Sequence, residues 1–108
     1  MEKTLREVCD EVKVTRRAVQ GYEKAGLVTP SGHNERGYLL YDEIARARIE
    51  QIKIYQDMGF TIKEIANSID GPRENLKQTL NQKVLKLQEE REHLEKMICL
   101  AEEMLSRL

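Results

Sequence analysis

Apolar residues recur along this chain at two different spacings, and the switches between them mark out short helices, one extended segment and a long final helix. Leu5, Val8, Cys9 and Val12 fall three and four apart, the period that lines one face of an α-helix. Thr4-Leu-Arg-Glu7 opens this run as a capping box, in which hydroxyl and carboxylate satisfy free amides of the first turn. The spacing predicts a helix to about Val12, with Cys9 as a small core residue. After a break at Lys13-Val14, Thr15 can cap a second helix to Lys24, and Gly26 supplies a left-handed stop. Val14, Ala18, Val19 and Tyr22 then face inward, and Thr15, Arg16, Arg17, Gln20 and Lys24 face outward. Two short helices across a tight turn form a helix-turn-helix, whose outward face is the one a DNA major groove meets. Standing alone, such a run of charge is more often a plain solvated face.

The following residues change the pattern. Leu27-Val-Thr is β-prone, Pro30 to Gly37 is rich in turn formers, and Tyr38-Leu-Leu-Tyr41 is β-prone again, so the segment is expected to form a two-stranded wing. Asp42 caps a third helix to about Asp57, in which Ile44, Ala47, Arg48, Ile52 and Tyr55 mix core with exposed positions. Met58-Gly-Phe60 closes it, and a second capping box, Thr61-Ile-Lys-Glu64, opens a short helix expected to bury Ile62, Ile65, Ala66 and Ile69. Asp70-Gly-Pro72 is the clearest boundary, since proline is well placed in the first turn of a helix.

From there to Leu108 no Gly or Pro occurs. Leu80, Val84, Leu87, Arg91, Leu94, Ile98, Ala101, Leu105 and Leu108 alternate at spacings of four and three, a heptad seam. A helix of this length, roughly 50 Å at 1.5 Å per residue, has too few partners in its own chain to cover the stripe, so a second helix is required. Arg91 either fixes register at its a-type position or snorkels its head outward over a packed stem. The expected fold is mainly α: a winged helix-turn-helix head over residues 1–71 and a dimerisation helix over 72–108.

Composition narrows the function. Charged residues make up 34% of the 108 residues and aromatics 5%, with no Trp, which suits exposed helices better than a sandwich or a ligand-filled barrel. Cys9 and Cys99 are far apart with no CxxC motif, so neither a disulfide framework nor a metal site is expected, and no cofactor is implied. His33 and His93 assemble no catalytic constellation, and an enzyme is not expected. There is no long apolar run and no basic, apolar leader, so the chain is expected to stay in the cytoplasm, away from membranes. The net charge of −1 hides an uneven layout: residues 1–41 carry +1, residues 42–71 carry −2, and residues 72–108 balance. Lys13, Arg16, Arg17 and Lys24 crowd one short stretch, which allows a basic face on a nearly neutral protein.

The order helix-turn-helix, wing, helix pair and dimer helix resembles the bacterial MerR-type transcriptional regulators, over the whole chain. The resemblance rests on Glu7-Val8, Val14-Thr-Arg-Arg17, Tyr22-Glu-Lys-Ala-Gly-Leu27, Arg36-Gly-Tyr-Leu-Leu-Tyr41 and Met58-Gly-Phe-Thr-Ile-Lys-Glu-Ile65. It implies a homodimer joined by antiparallel long helices, with two heads on successive major grooves of a palindromic promoter operator. It also implies bending and untwisting of the promoter, through which RNA polymerase is affected indirectly. By similarity Thr15, Arg16 and Arg17 approach bases and phosphates, while Tyr22, Arg36, Tyr38 and Lys63 hold the backbone. Lys24 and Gln20 share the outward face, and Leu80, Val84, Leu87, Arg91, Leu94, Ile98 and Leu105 form the dimer interface. Three positions depart from the family: Gln20 and Leu39 stand where arginine is usual, and Gly21 where an aromatic residue is usual. They either weaken DNA binding or retune it, since Gln20 can pair with an adenine edge. No effector site is visible, Cys99 being isolated. The rival reading is a protein-interaction adaptor that has kept the fold and lost the DNA.

Overall fold

The computed structural model describes residues 1–108 and divides into two compact units, Met1–Ile69 and Asp70–Leu108. The first unit runs β1 (Lys3–Thr4), α1 (Leu5–Val12), α2 (Arg16–Lys24), β2 (Gly32–His33), β3 (Leu39–Tyr41), α3 (Glu43–Asp57) and α4 (Ile62–Ser68). The second is essentially one helix, α5 (Arg73–Ser106).

Helix starts follow the capping chemistry of the sequence. The Thr4 hydroxyl accepts from the Glu7 amide at 3.3 Å while the Glu7 carboxylate accepts from the Thr4 amide at 3.0 Å, and Thr61 and Glu64 form the same reciprocal pair. Thr15 and Asp42 cap α2 and α3 by accepting from Ala18 and Ala45. Each such cap stabilises its helix by about 1 kcal/mol. α1 stops where Lys13 turns left-handed at φ 66° and both Lys13 and Val14 donate to the Cys9 carbonyl. α2 stops at Gly26, φ +76°, with the Leu27 amide donating to Tyr22 O at 2.9 Å.

The core gathers residues from α1, α2, β3, α3 and α4. Val8, Val19, Tyr22, Tyr41, Ile49, Ile52 and Ile65 are fully enclosed, and complete burial of an aliphatic side chain contributes about 1.5–3 kcal/mol. Tyr55 and Phe60 meet edge to face at 5.7 Å across the turn that ends α3.

Two expectations are corrected. Leu27-Val28-Thr29 is not a strand: Leu27 and Val28 turn into the core, and the Arg48 guanidinium donates to the Leu27 carbonyl at 2.9 Å. The first wing strand is instead Gly32–His33 within the expected turn, and the sheet gains a third member, β1, in the order β1-β3-β2. All pairs are antiparallel, with Lys3 opposite Tyr41 and Gly32 opposite Leu40. α3 does mix core with exposed positions: Ile52 and Tyr55 are buried along with Ala45 and Ile49, while Ile44 is 81% exposed and Ala47 exposed. On α4 only Ile65 is buried; Ile62 and Ile69 are half-covered and Ala66 is exposed, because a two-turn helix brings one position to the centre of its contact with α3.

Candidate nucleic-acid interface

The outward face of the helix-turn-helix is set by two constraints at its ends. Thr15 fixes the start of α2, and Val19 and Tyr22 anchor its inner side. Helical geometry then directs Arg16, Arg17, Gln20 and Lys24 to solvent, where all four are exposed. Thr15 is exposed as well; its oxygen is engaged by the Ala18 amide at 3.0 Å, and its own proton remains available to an acceptor.

The wing is shaped by a residue that the sequence pattern did not single out. The Asn34 side-chain oxygen accepts from the amides of Arg36 at 2.9 Å and Tyr38 at 3.0 Å. The Asn34 amide donates to Tyr38 O, and Gly37, at φ +81°, donates to Asn34 O. This Asn-based turn ties the loop to itself and holds Arg36 and Tyr38 at the tip, both exposed. The signal was present as Asn in a Gly-containing turn, but which acceptor an Asn side chain serves is settled only by the folded loop.

Tyr22 is corrected. The resemblance gave it a backbone-holding role, but it is 1% exposed, and its hydroxyl donates to the Gln56 side chain at 2.6 Å. Burial raises its hydroxyl pKa, with Asp57 adding to the effect. Tyr22 is a core residue that locks α2 onto α3. Tyr41 does the equivalent work for the sheet: it is fully buried and donates to Glu23 of α2, and burial, reinforced by that bond, pushes its hydroxyl well up. Lys63 is exposed on α4.

Charge is sorted on the head. Lys3 pairs with Glu11, Arg46 with Glu11, Glu43 and Glu50, and Lys53 with Asp57. Arg16, Arg17, Lys24, Arg36 and Lys63 enter no ion pair. The cations of the helix-turn-helix face and the wing therefore keep their charge for an external anion. Arg16 also acts inward: burial pushes the Cys9 thiol pKa up, and the Arg16 charge pulls it partly back. Cys9 is half-buried, as a small packing residue would be.

Residues 3–71 match the profile of the MerR HTH family regulatory protein, and residues 46–99 match that of the MerR DNA-binding region. The chain belongs to the MerR family of helix-turn-helix regulatory proteins. It is 26% identical over 98 residues to the HTH-type transcriptional activator mta of Bacillus subtilis, an overlap that covers 91% of this chain and 38% of that one. The chain thus spans well under half the length of that relative. Among solved structures, a MerR-family transcriptional regulator from Bacillus cereus superposes with a TM-score of 0.83 at 26% identity, covering 99% of this chain and 82% of that one. HiNmlR, a MerR-family regulator lacking the sensor domain and bound to promoter DNA, shares the fold with a TM-score of 0.72 at 17% identity, covering 98% and 89%.

The second unit presents its seam uncovered. No residue of α5 is buried; Leu80 is half-covered, and Val84, Leu87, Arg91, Leu94, Ile98 and Leu105 are exposed. Beyond Leu94 the stripe is broader than the heptad alone describes, because Met97, Leu100 and Met104 are exposed beside it. No helix is long and apolar enough to cross a membrane, and no cluster of His, Cys, Asp or Glu could hold a metal ion.

Proposed function

We propose that this MerR-family chain is a sequence-specific DNA-binding transcriptional regulator that acts as a homodimer on a palindromic promoter operator. The observation that carries this reading is the set of unpaired cations on one exposed helix face and wing tip. Neutralisation of phosphates by such cations supplies the sequence-independent part of binding. Arg16, Arg17, Gln20 and Thr15 enter the major groove with α2, Gln20 offering its amide to an adenine edge. Arg36 and Tyr38 from the wing, together with Lys24 and Lys63, hold phosphates and set position. Tyr22 supports this face from within.

The dimer forms along α5, through Leu80, Val84, Leu87, Arg91, Leu94, Ile98 and Leu105, with the two helices antiparallel. Two heads held at a fixed separation recognise two half-sites, so operator symmetry mirrors protein symmetry. Deformation of the promoter between the heads, by bending and untwisting, is the step through which RNA polymerase responds. Among the fold relatives, HiNmlR is described on promoter DNA.

The test is retardation of duplexes from the chain's own upstream region by the purified protein. Binding is expected, falling steeply as salt rises, and Arg17→Ala is expected to weaken it without unfolding the protein. An absence of retardation at low salt on every fragment would overturn the reading in favour of an adaptor that binds protein.

A further inference from the structure

Arg6 stands on the first turn of α1, outside the helix-turn-helix face and the wing, and is exposed. It has an acidic neighbour, Glu7, but that carboxylate is already committed to the amide and hydroxyl of Thr4. Arg6 enters no ion pair, in contrast to Lys3, three residues earlier, which is held by Glu11. The two cations therefore differ in what they can offer a ligand, although they are near neighbours in the chain.

The sheet decides what lies beside Arg6. Pairing of Thr4 with Leu40 draws the wing strand alongside the start of α1, and the short turn between α1 and α2 brings Arg16 to the same place. Arg6 and Arg16 thus line one groove of about 530 Å³ with Thr4, Gly37, Tyr38 and Leu39. Its lining residues include two arginines and a tyrosine, and none is acidic. Guanidinium is the side chain best suited to hold a phosphate, through paired N–H donors. Gly37 leaves backbone without a side chain at the groove's edge.

We propose that this groove is a seat for a DNA backbone phosphodiester, with Arg6 as a phosphate-binding residue acting beside Arg16 and Tyr38. The contact joins the track of α2 to that of the wing, so the backbone is gripped without a break between them. The proposal rests on the DNA-binding reading above and adds to it a cation contributed by α1. A phosphate contact carries no sequence information, so Arg6 adds affinity and salt dependence and leaves the choice of operator unaltered.

The experiment uses the full chain and a duplex from its upstream region, with binding followed by fluorescence anisotropy across a salt series. Arg6→Gln is expected to make the slope of log K against log salt shallower by about 0.9 for each head engaged. The ratio of affinities for that duplex and an unrelated one stays the same, as does the unfolding midpoint. Lys53→Gln removes the same charge from a residue paired with Asp57 and is expected to leave the slope unchanged. Equal slopes for Arg6→Gln and wild type would overturn the proposal, and so would equal changes for Arg6→Gln and Lys53→Gln, which would reduce the effect to net charge. If the wild type binds no duplex, it is the DNA-binding reading that fails; if the wild type binds and Arg17→Ala weakens it while Arg6→Gln matches wild type, only the phosphate seat falls.

Discussion

Gly21 is the residue on the recognition helix with the least local reason to be there. It lies inside α2, where glycine costs roughly 0.5–1 kcal/mol relative to alanine. Its backbone is ordinary, and a methyl group built at its position would meet nothing within 4 Å. Gly21→Ala is therefore expected to raise stability by about 0.5–1 kcal/mol, measured by urea unfolding. Its position next to Gln20 on the exposed side of α2 supplies the one remaining role, a close approach of backbone to DNA. The same variant should then bind duplex more weakly although it is more stable, and unchanged binding would leave the glycine without a functional role. Sequence reasoning saw the cost of this glycine directly; that the fold imposes no steric need for it required the packing around α2.

At the scale of elements, α5 stands apart. Helices in proteins owe most of their stability to packing of an apolar face rather than to intrinsic propensity, yet this 34-residue helix has no buried residue in the single chain. Leu94 is 54% exposed, in the middle of the stripe between Leu87 and Ile98. Leu94→Asp is expected to give monomers in sedimentation velocity, because a carboxylate in an apolar seam is costly to desolvate. A dimer that persisted would place the interface elsewhere. The helices were legible from the sequence, since capping boxes and apolar spacing are local signals that the fold kept at Thr4, Thr15, Asp42 and Thr61. The strands were less so. Leu27-Val28 has strand-like side chains, but burial claimed them, while Gly32–His33 pairs only because β3 happens to run beside it.

Across the whole head, charge governs both binding and stability. The carboxylates of Glu7 and Glu11 are held below the usual range, Glu7 chiefly by the Thr4 amide and Glu11 chiefly by its bond to Lys3. A carboxyl with a depressed folded-state pKa favours the fold above the ordinary carboxylate range and loses that contribution as pH falls through its lowered value. Glu11→Gln is thus expected to be less stable than wild type at neutral pH, and the gap should close on acidification below the carboxylate range, as followed by circular dichroism. A gap that stayed constant with pH would mean the ion pair contributes nothing. The same sorting that ties Glu11 to Lys3 and Arg46 leaves the cations of the helix-turn-helix and wing unpaired, so a head of nearly neutral composition keeps a basic face.

By itself the sequence determined the helices, their caps, the outward set on α2 and the stripe along α5, because each depends on neighbours within a turn or two. The tertiary structure decided what depends on distant partners. It buried Tyr22 against Gln56, moved the first wing strand to Gly32–His33 and recruited Lys3–Thr4 as a third strand. It also chose which cations are neutralised and brought Arg6 into the groove with Arg16 and Tyr38. Tyr22 and Gln56, Arg46 and Glu11, and Thr4 and Leu40 are tens of residues apart in the chain, and no local period encodes such meetings.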